Sequence, residues 1–171
     1  AIVDLDSTDP VGFDPADNFN GPANINYTIQ DNDTTPLTSN VATIGITVTS
    51  VNDNPVVVDE VNSTTEDTQL IVTAANGLLI NDSDLDGDPL SITNFVVDGT
   101  TYGAGETATF TEGVLKITSD GGYTFTPASN FNGTVPEITY NVTDGLATVP
   151  GTLDITVTAV NDAPVAVADS N

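Results

Sequence analysis

The sequence predicts an all-β protein, antiparallel Greek-key β-sandwiches in tandem. Three observations predict it: apolar and polar residues alternate with period two, turn residues cluster between the alternating runs, and the pattern repeats at about 109 residues. Alternation sends successive side chains to opposite faces, so one face can be buried and the other wetted. No helical stripe of any length is present.

The repeat organises the chain. Residues 2–21 align without gaps to residues 114–133, carrying Phe13-Asp-Pro onto Phe125-Thr-Pro and Asn18-Phe-Asn-Gly onto Asn130-Phe-Asn-Gly. Ile25-Asn-Tyr then matches Ile138-Thr-Tyr, and Asp31 falls opposite Asp144. Val51-Asn-Asp-Asn-Pro matches Val160-Asn-Asp-Ala-Pro, the earlier copy having a longer loop at residues 33–40. The expected division is therefore the second half of one repeat over 1–53, a whole repeat over 54–162, and the start of another over 163–171. A half-repeat leaves apolar faces and strand edges uncovered, so a complementary half supplied from elsewhere is expected.

The strands follow from the pattern. Ile44, Ile46 and Val48 share one face, as do Leu153, Ile155, Val157 and Ala159. Ile138, Tyr140 and Val142 form a third set, which Ile25, Tyr27 and Ile29 repeat. Asp120-Gly-Gly between Leu115-Lys-Ile and Tyr123-Thr-Phe predicts a hairpin turn. Threonine and valine suit a half-buried pleated surface. A repeat of this length made of short antiparallel strands points to an immunoglobulin/cadherin-like sandwich. Its core must rest on Ile, Val, Leu, Phe and Tyr, because the chain has no Cys and no Trp.

Composition removes most catalytic chemistry. The 171 residues include 25 acids and one base, Lys116, for a net charge of −24, with no His and no Cys. Imidazole and thiol catalysis and His- or Cys-ligated metal are thereby excluded. Such a charge repels nucleic acid and anionic lipid, and no apolar run approaches the roughly 18 residues of a membrane span. The implied partner is a cation. Hydrophobic residues at 38% place the chain outside the disordered class.

Asn81-Asp-Ser-Asp-Leu-Asp-Gly-Asp-Pro is the most informative stretch. Four of residues 82–88 are Asp, and crowded carboxylates repel unless a hard divalent cation joins them. Asp82-x-Asp84-x-Asp86-Gly87 has the spacing that opens an EF-hand loop. Thr93 at the twelfth position and the flanking strands argue instead for a calcium loop of another type. The same residues are also turn formers. Asn52-Asp-Asn-Pro and Asn161-Asp-Ala-Pro mark the repeat boundaries, each Pro stiffening the junction after two oxygen-bearing side chains.

Asn81–Leu90, Glu66-Asp67, Asn130-Phe-Asn-Gly, Val142-Thr-Asp-Gly and Val160-Asn-Asp-Ala-Pro together resemble the cadherin-like tandem repeats of giant bacterial surface adhesins, including those of the repeats-in-toxin secretion class. The resemblance implies a secreted or cell-surface extender module rigidified by Ca²⁺. It implies a site formed by Asn52 and Asp53 with Asp84 and Asp86, Asp82 belonging to the same loop and Asp144 to the same cluster. It also implies a second site begun by Glu66, Asn161 and Asp162, with Asp31 and Asp14 as candidates in the half-repeat. Ser50 departs from the usual first linker Asp, and Pro127-Ala-Ser-Asn lacks the carboxylate-rich motif expected there.

The expected function is mechanical and non-enzymatic: calcium sets the angle between neighbouring repeats of one long chain. Ligands on a cell surface or in a biofilm would be contacted through other domains. The alternative is a calcium-dependent module that itself binds a sugar or peptide. A hydrolase using paired carboxylates is disfavoured because nothing singles out a pair in a cleft.

Overall fold

A computed structural model describes residues 12–164 and residue 166. Most of the expected third copy, and the part of the repeat match before residue 12, lie outside the described residues. The chain divides into two compact units, Ala1–Val51 and Asn52–Asn171.

The first unit contains an antiparallel pair, β1 (Gly21–Tyr27) and β2 (Ala42–Val48). The second begins with β3 (Glu60–Thr65) and β4 (Leu70–Val72), followed by a single 3-10 turn at Ala74–Asn76. It continues through β5 (Ser91–Val97), β6 (Thr100–Gly103), β7 (Thr107–Phe110), β8 (Gly113–Ile117) and β9 (Tyr123–Pro127). β10 (Gly133–Thr134), β11 (Ile138–Thr143) and the long β12 (Thr148–Thr158) complete it. One sheet runs β10-β12-β11-β5-β6, with β3 added to β12; the other runs β4-β9-β8-β7. Among the described residues every strand pairing is antiparallel except β3 with β12, which run parallel from Leu153↔Glu60 to Thr158↔Thr65. First and last strands thus lie side by side.

The core fills the space between the sheets. Ile138, Tyr140, Leu153 and Ile155 from one sheet and Leu115, Ile117 and Phe125 from the other are fully buried. The period-two pattern is interrupted in β5. Ile92, Phe95 and Val97 are all buried although Ile92 and Phe95 are three apart, because a register shift against β11 leaves Thr93 as an extra residue. Such a bulge rotates the strand and lets both residues face inward. Asp120-Gly-Gly does turn β8 into β9: Gly121 takes φ 84°, and Thr118 N–H donates to the Gly122 carbonyl at 2.8 Å.

The sequence repeat has a structural counterpart. Asn18 and Asn130 both adopt left-handed φ, 59° and 55°, and Phe19 and Phe131 donate to Ala16 and Ala128 at the same 3.0 Å. The hairpin pairings correspond, Ile25↔Ile44 answering Ile138↔Leu153 and Gly21↔Val48 answering Gly133↔Val157, with one extra residue between the two pairs in the later copy. Burial differs. Ile44 is 41% exposed where Leu153 is 0% exposed, and Ile29 lies beyond β1 and is 65% exposed.

Candidate metal centre

The segment 82–88 joins β4 to β5 and is zipped against the start of the second unit. Val56 and Ser83 exchange backbone hydrogen bonds of 2.7 and 3.1 Å, and Val58 N–H donates to Asp82 Oδ1 at 2.9 Å. The chain then folds around Asp84. Its Oδ1 accepts from the N–H groups of Asp86 (2.9 Å) and Asp88 (3.2 Å), and Gly87 takes φ 81°, which an L side chain rarely adopts. One carboxylate oxygen each of Asp84, Asp86 and Asp88 thereby lie within 4.8 Å of one another.

The residues preceding β3 lean on the same cluster. Asp53 N–H donates to Asp86 Oδ2 at 2.8 Å, while Asn52 Nδ2 donates to Asp144 Oδ2 at 2.9 Å and to its neighbour's carbonyl at 2.8 Å. Asp144 sits in the β11–β12 hairpin, where its Oδ1 accepts from Leu146 and Ala147 N–H at 2.7 and 2.6 Å. The Asn52 amide and those two N–H groups hold its carboxyl below the usual carboxylate range. Asn52, Asp53, Asp84, Asp86, Asp88 and Asp144 therefore gather at one end of the second unit.

Asp88 joins the triad although the spacing argument stopped at Asp86; its signal was the same every-second-residue rhythm continued once more. Asp82 turns elsewhere. It faces Val58, and burial, aided by the charge of Glu60, pushes its carboxyl up against the lowering effect of the Val58 N–H. Burial, then the charges of Asp82 and Glu60, also drives the Tyr140 hydroxyl above its ordinary range. Glu66 lies at the opposite end of the sandwich, 6% exposed, accepting from Val160 N–H at 2.6 Å and from Asn132 Nδ2 at 3.1 Å. Asn161 and Asp162 are exposed, with Asn161 Nδ2 directed to the Asp162 carbonyl at 3.4 Å. Asp31 belongs to the first unit, where its carboxylate accepts from Leu37 N–H at 3.0 Å and closes the loop after β1. Asp14 is exposed in that unit.

The triad fits a hard cation. Asp84 Oδ2 is buried from solvent with no hydrogen-bond partner, as are Asp82 Oδ2 and Glu60 Oε1, and the chain's single basic side chain, Lys116, lies on β8. At 4.8 Å each carboxylate pair repels by about 1 kcal/mol in water and about 3 kcal/mol at an effective dielectric of 20. Oxygen-only donors of this kind suit calcium or magnesium rather than a softer metal.

The second unit is thus a two-sheet sandwich with its first strand parallel to its last and acidic groups gathered at one end. The model of the bacterial cadherin-like domain family matches residues 52–159, and the chain belongs to that family. No curated protein matches. Among solved structures, the chain is similar to the extracellular domain of protocadherin GammaB4, at 20% identity and TM-score 0.42, covering 80% of this chain and 20% of that one. It is also similar to an endo-fucoidan hydrolase of glycoside hydrolase family 107, at 20% identity and TM-score 0.40, covering 80% and 19%. A nucleoside hydrolase-related hypothetical protein from Saccharophagus degradans, associated with carbohydrate metabolism, shares 16% identity at TM-score 0.40, covering 64% and 26%. The chain spans about a fifth to a quarter of those structures. Likeness at this level carries no argument about activity. Among the described residues, no helix is long and apolar enough to cross a membrane.

Proposed function

We propose that the chain is a calcium-binding extender module of a bacterial cell-surface adhesin, with no catalytic role. In this reading 54–162 is a whole repeat, 1–53 the latter half of a preceding one, and 163–171 the opening of the next. Neighbouring repeats of the same long chain are its partners, and adhesion ligands are met by other domains.

One observation carries the reading. The linker residues Asn52 and Asp53 are hydrogen-bonded to Asp144 and Asp86, beside a carboxylate oxygen of Asp84 that has no donor. Calcium held by Asp84, Asp86 and Asp88, with Asn52, Asp53 and Asp144 adjoining, would neutralise the triad and fix the linker to the sandwich. Asp82 supports the loop through Val58. Without the ion the triad repels, and the linker loosens into a hinge. Extracellular calcium modules bind at about 10⁻⁴–10⁻³ M, so stiffness would follow the calcium of the medium. Small-angle scattering in millimolar calcium and then in EGTA tests the proposal. The radius of gyration should change and the melting temperature fall in chelator; identical values in both buffers rule the mechanism out.

A further inference from the structure

The opposite end of the sandwich carries a second motif, which the calcium reading leaves unused. Glu66 ends β3 where that strand runs parallel to β12, and its N–H continues the ladder to the Thr158 carbonyl at 2.9 Å. In a parallel ladder the next bond would run from Val160 N–H to the backbone carbonyl of Glu66. Instead the chain turns at Asp67, whose φ is 58°, and Val160 N–H goes to Glu66 Oε1 at 2.6 Å. The side chain thus replaces the main-chain acceptor and carries the ladder one bond beyond the strand.

Both halves of the Asn-Phe-Asn-Gly motif support this arrangement. Asn132 Nδ2 donates to Glu66 Oε2 at 3.1 Å, and Asn130 N–H donates to Asp67 Oδ1 at 3.2 Å, while Phe131 between them packs against the core. Glu66 is 6% exposed, and each of its oxygens has an N–H donor. A buried carboxylate satisfied by donors in this way needs no metal to hold its place.

We infer that Glu66, positioned by Asn132, is a metal-independent clamp on the chain leaving the sandwich at Val160. The two ends of the repeat are then unlike: the upstream end holds a carboxylate oxygen of Asp84 with no donor, whereas both oxygens of Glu66 at the downstream end have one. The clamp stands whether or not the triad binds calcium.

Site-resolved amide exchange by NMR on the full chain, in EGTA and in millimolar calcium, tests it. Val160 N–H should be protected in EGTA, and protection should change less than about twofold on adding calcium. Glu66→Ala should speed Val160 exchange about tenfold or more, as expected for losing a hydrogen bond to a charged group. Glu66→Gln retains a carbonyl acceptor and should restore most of the protection, in EGTA as in calcium. Asn132→Ala should speed Val160 exchange several-fold while leaving amides of β8 and β9 unchanged. Unprotected Val160 in EGTA, or a Glu66→Gln variant exchanging as fast as Glu66→Ala, overturns the inference. If Glu66→Ala fails to fold, the wild-type comparison and the other two variants still decide it.

Discussion

Asp84→Asn should change the sign of its effect with calcium. The substitution removes one of three charges whose oxygens lie within 4.8 Å, and so deletes two of the three repulsive pairs. Asp86 is exposed, so the lower figure of about 1 kcal/mol per pair applies, giving a gain of roughly 1–2 kcal/mol in chelator. The local turn should survive, because the amide carbonyl can still accept from the Asp86 and Asp88 N–H groups as Oδ1 does. In calcium the comparison reverses. At about 10 mM calcium and a dissociation constant of about 10⁻⁴ M, binding stabilises the wild type by about 2.7 kcal/mol, most of which the variant forfeits. Urea denaturation of both proteins, in EGTA and in calcium, gives the four free energies. The variant should be the more stable in EGTA and the less stable in calcium. A variant destabilised in EGTA that keeps the full calcium increment would refute the electrostatic reasoning.

Three further outcomes are expected. Gly151→Ala would bring a Cβ to 2.6 Å from Val57 Cγ1 and 2.7 Å from Tyr140 Cζ, both facing a filled core, and should cost about 1–3 kcal/mol by urea denaturation. The counterpart Ala42 pairs with the half-buried Tyr27, where a Cβ is already accommodated, so Ala42→Gly should lose about 0.5–1 kcal/mol in the same assay. Asp120 is held below its ordinary value of 3.8 chiefly by the Thr118 hydroxyl, then by the Gly122 N–H. A lowered native value means its contribution is complete above about pH 4 and is lost as pH falls through the lower native value. The stability difference between wild type and Asp120→Asn, followed from pH 7 to pH 2.5, should therefore shrink on the acid side; a flat difference contradicts the assignment.

Much of the sandwich is legible in the sequence because alternation is a local property. Leu153, Ile155 and Val157 alternate and are all buried, as are Ile138, Tyr140 and Val142. The bulge at Thr93 is not legible, since it shifts parity only relative to a strand about 50 residues away. The parallel pairing of β3 with β12 joins segments more than 90 residues apart, and each reads alone as an ordinary strand. At the candidate site, the Asp-x-Asp rhythm marked the loop, because a tight turn brings alternate side chains together. It left unresolved which member would face away, since the bridge between Val56 and Ser83 and the bond from Val58 turn Asp82 toward its own strand. Glu66 stood out as an acid near a repeat boundary. Its donors, Asn132 and Val160, lie 66 and 94 residues distant, beyond the reach of any spacing rule.

The parallel alignment of β3 with β12 has a consequence under load. The chain enters beside the start of β3 and leaves beyond the end of β12, so tension along the chain pulls these two neighbours in opposite directions along their length. The six residue pairs from Leu153↔Glu60 to Thr158↔Thr65 are then sheared together instead of being peeled apart one at a time. A module so wired yields only when the whole ladder slips.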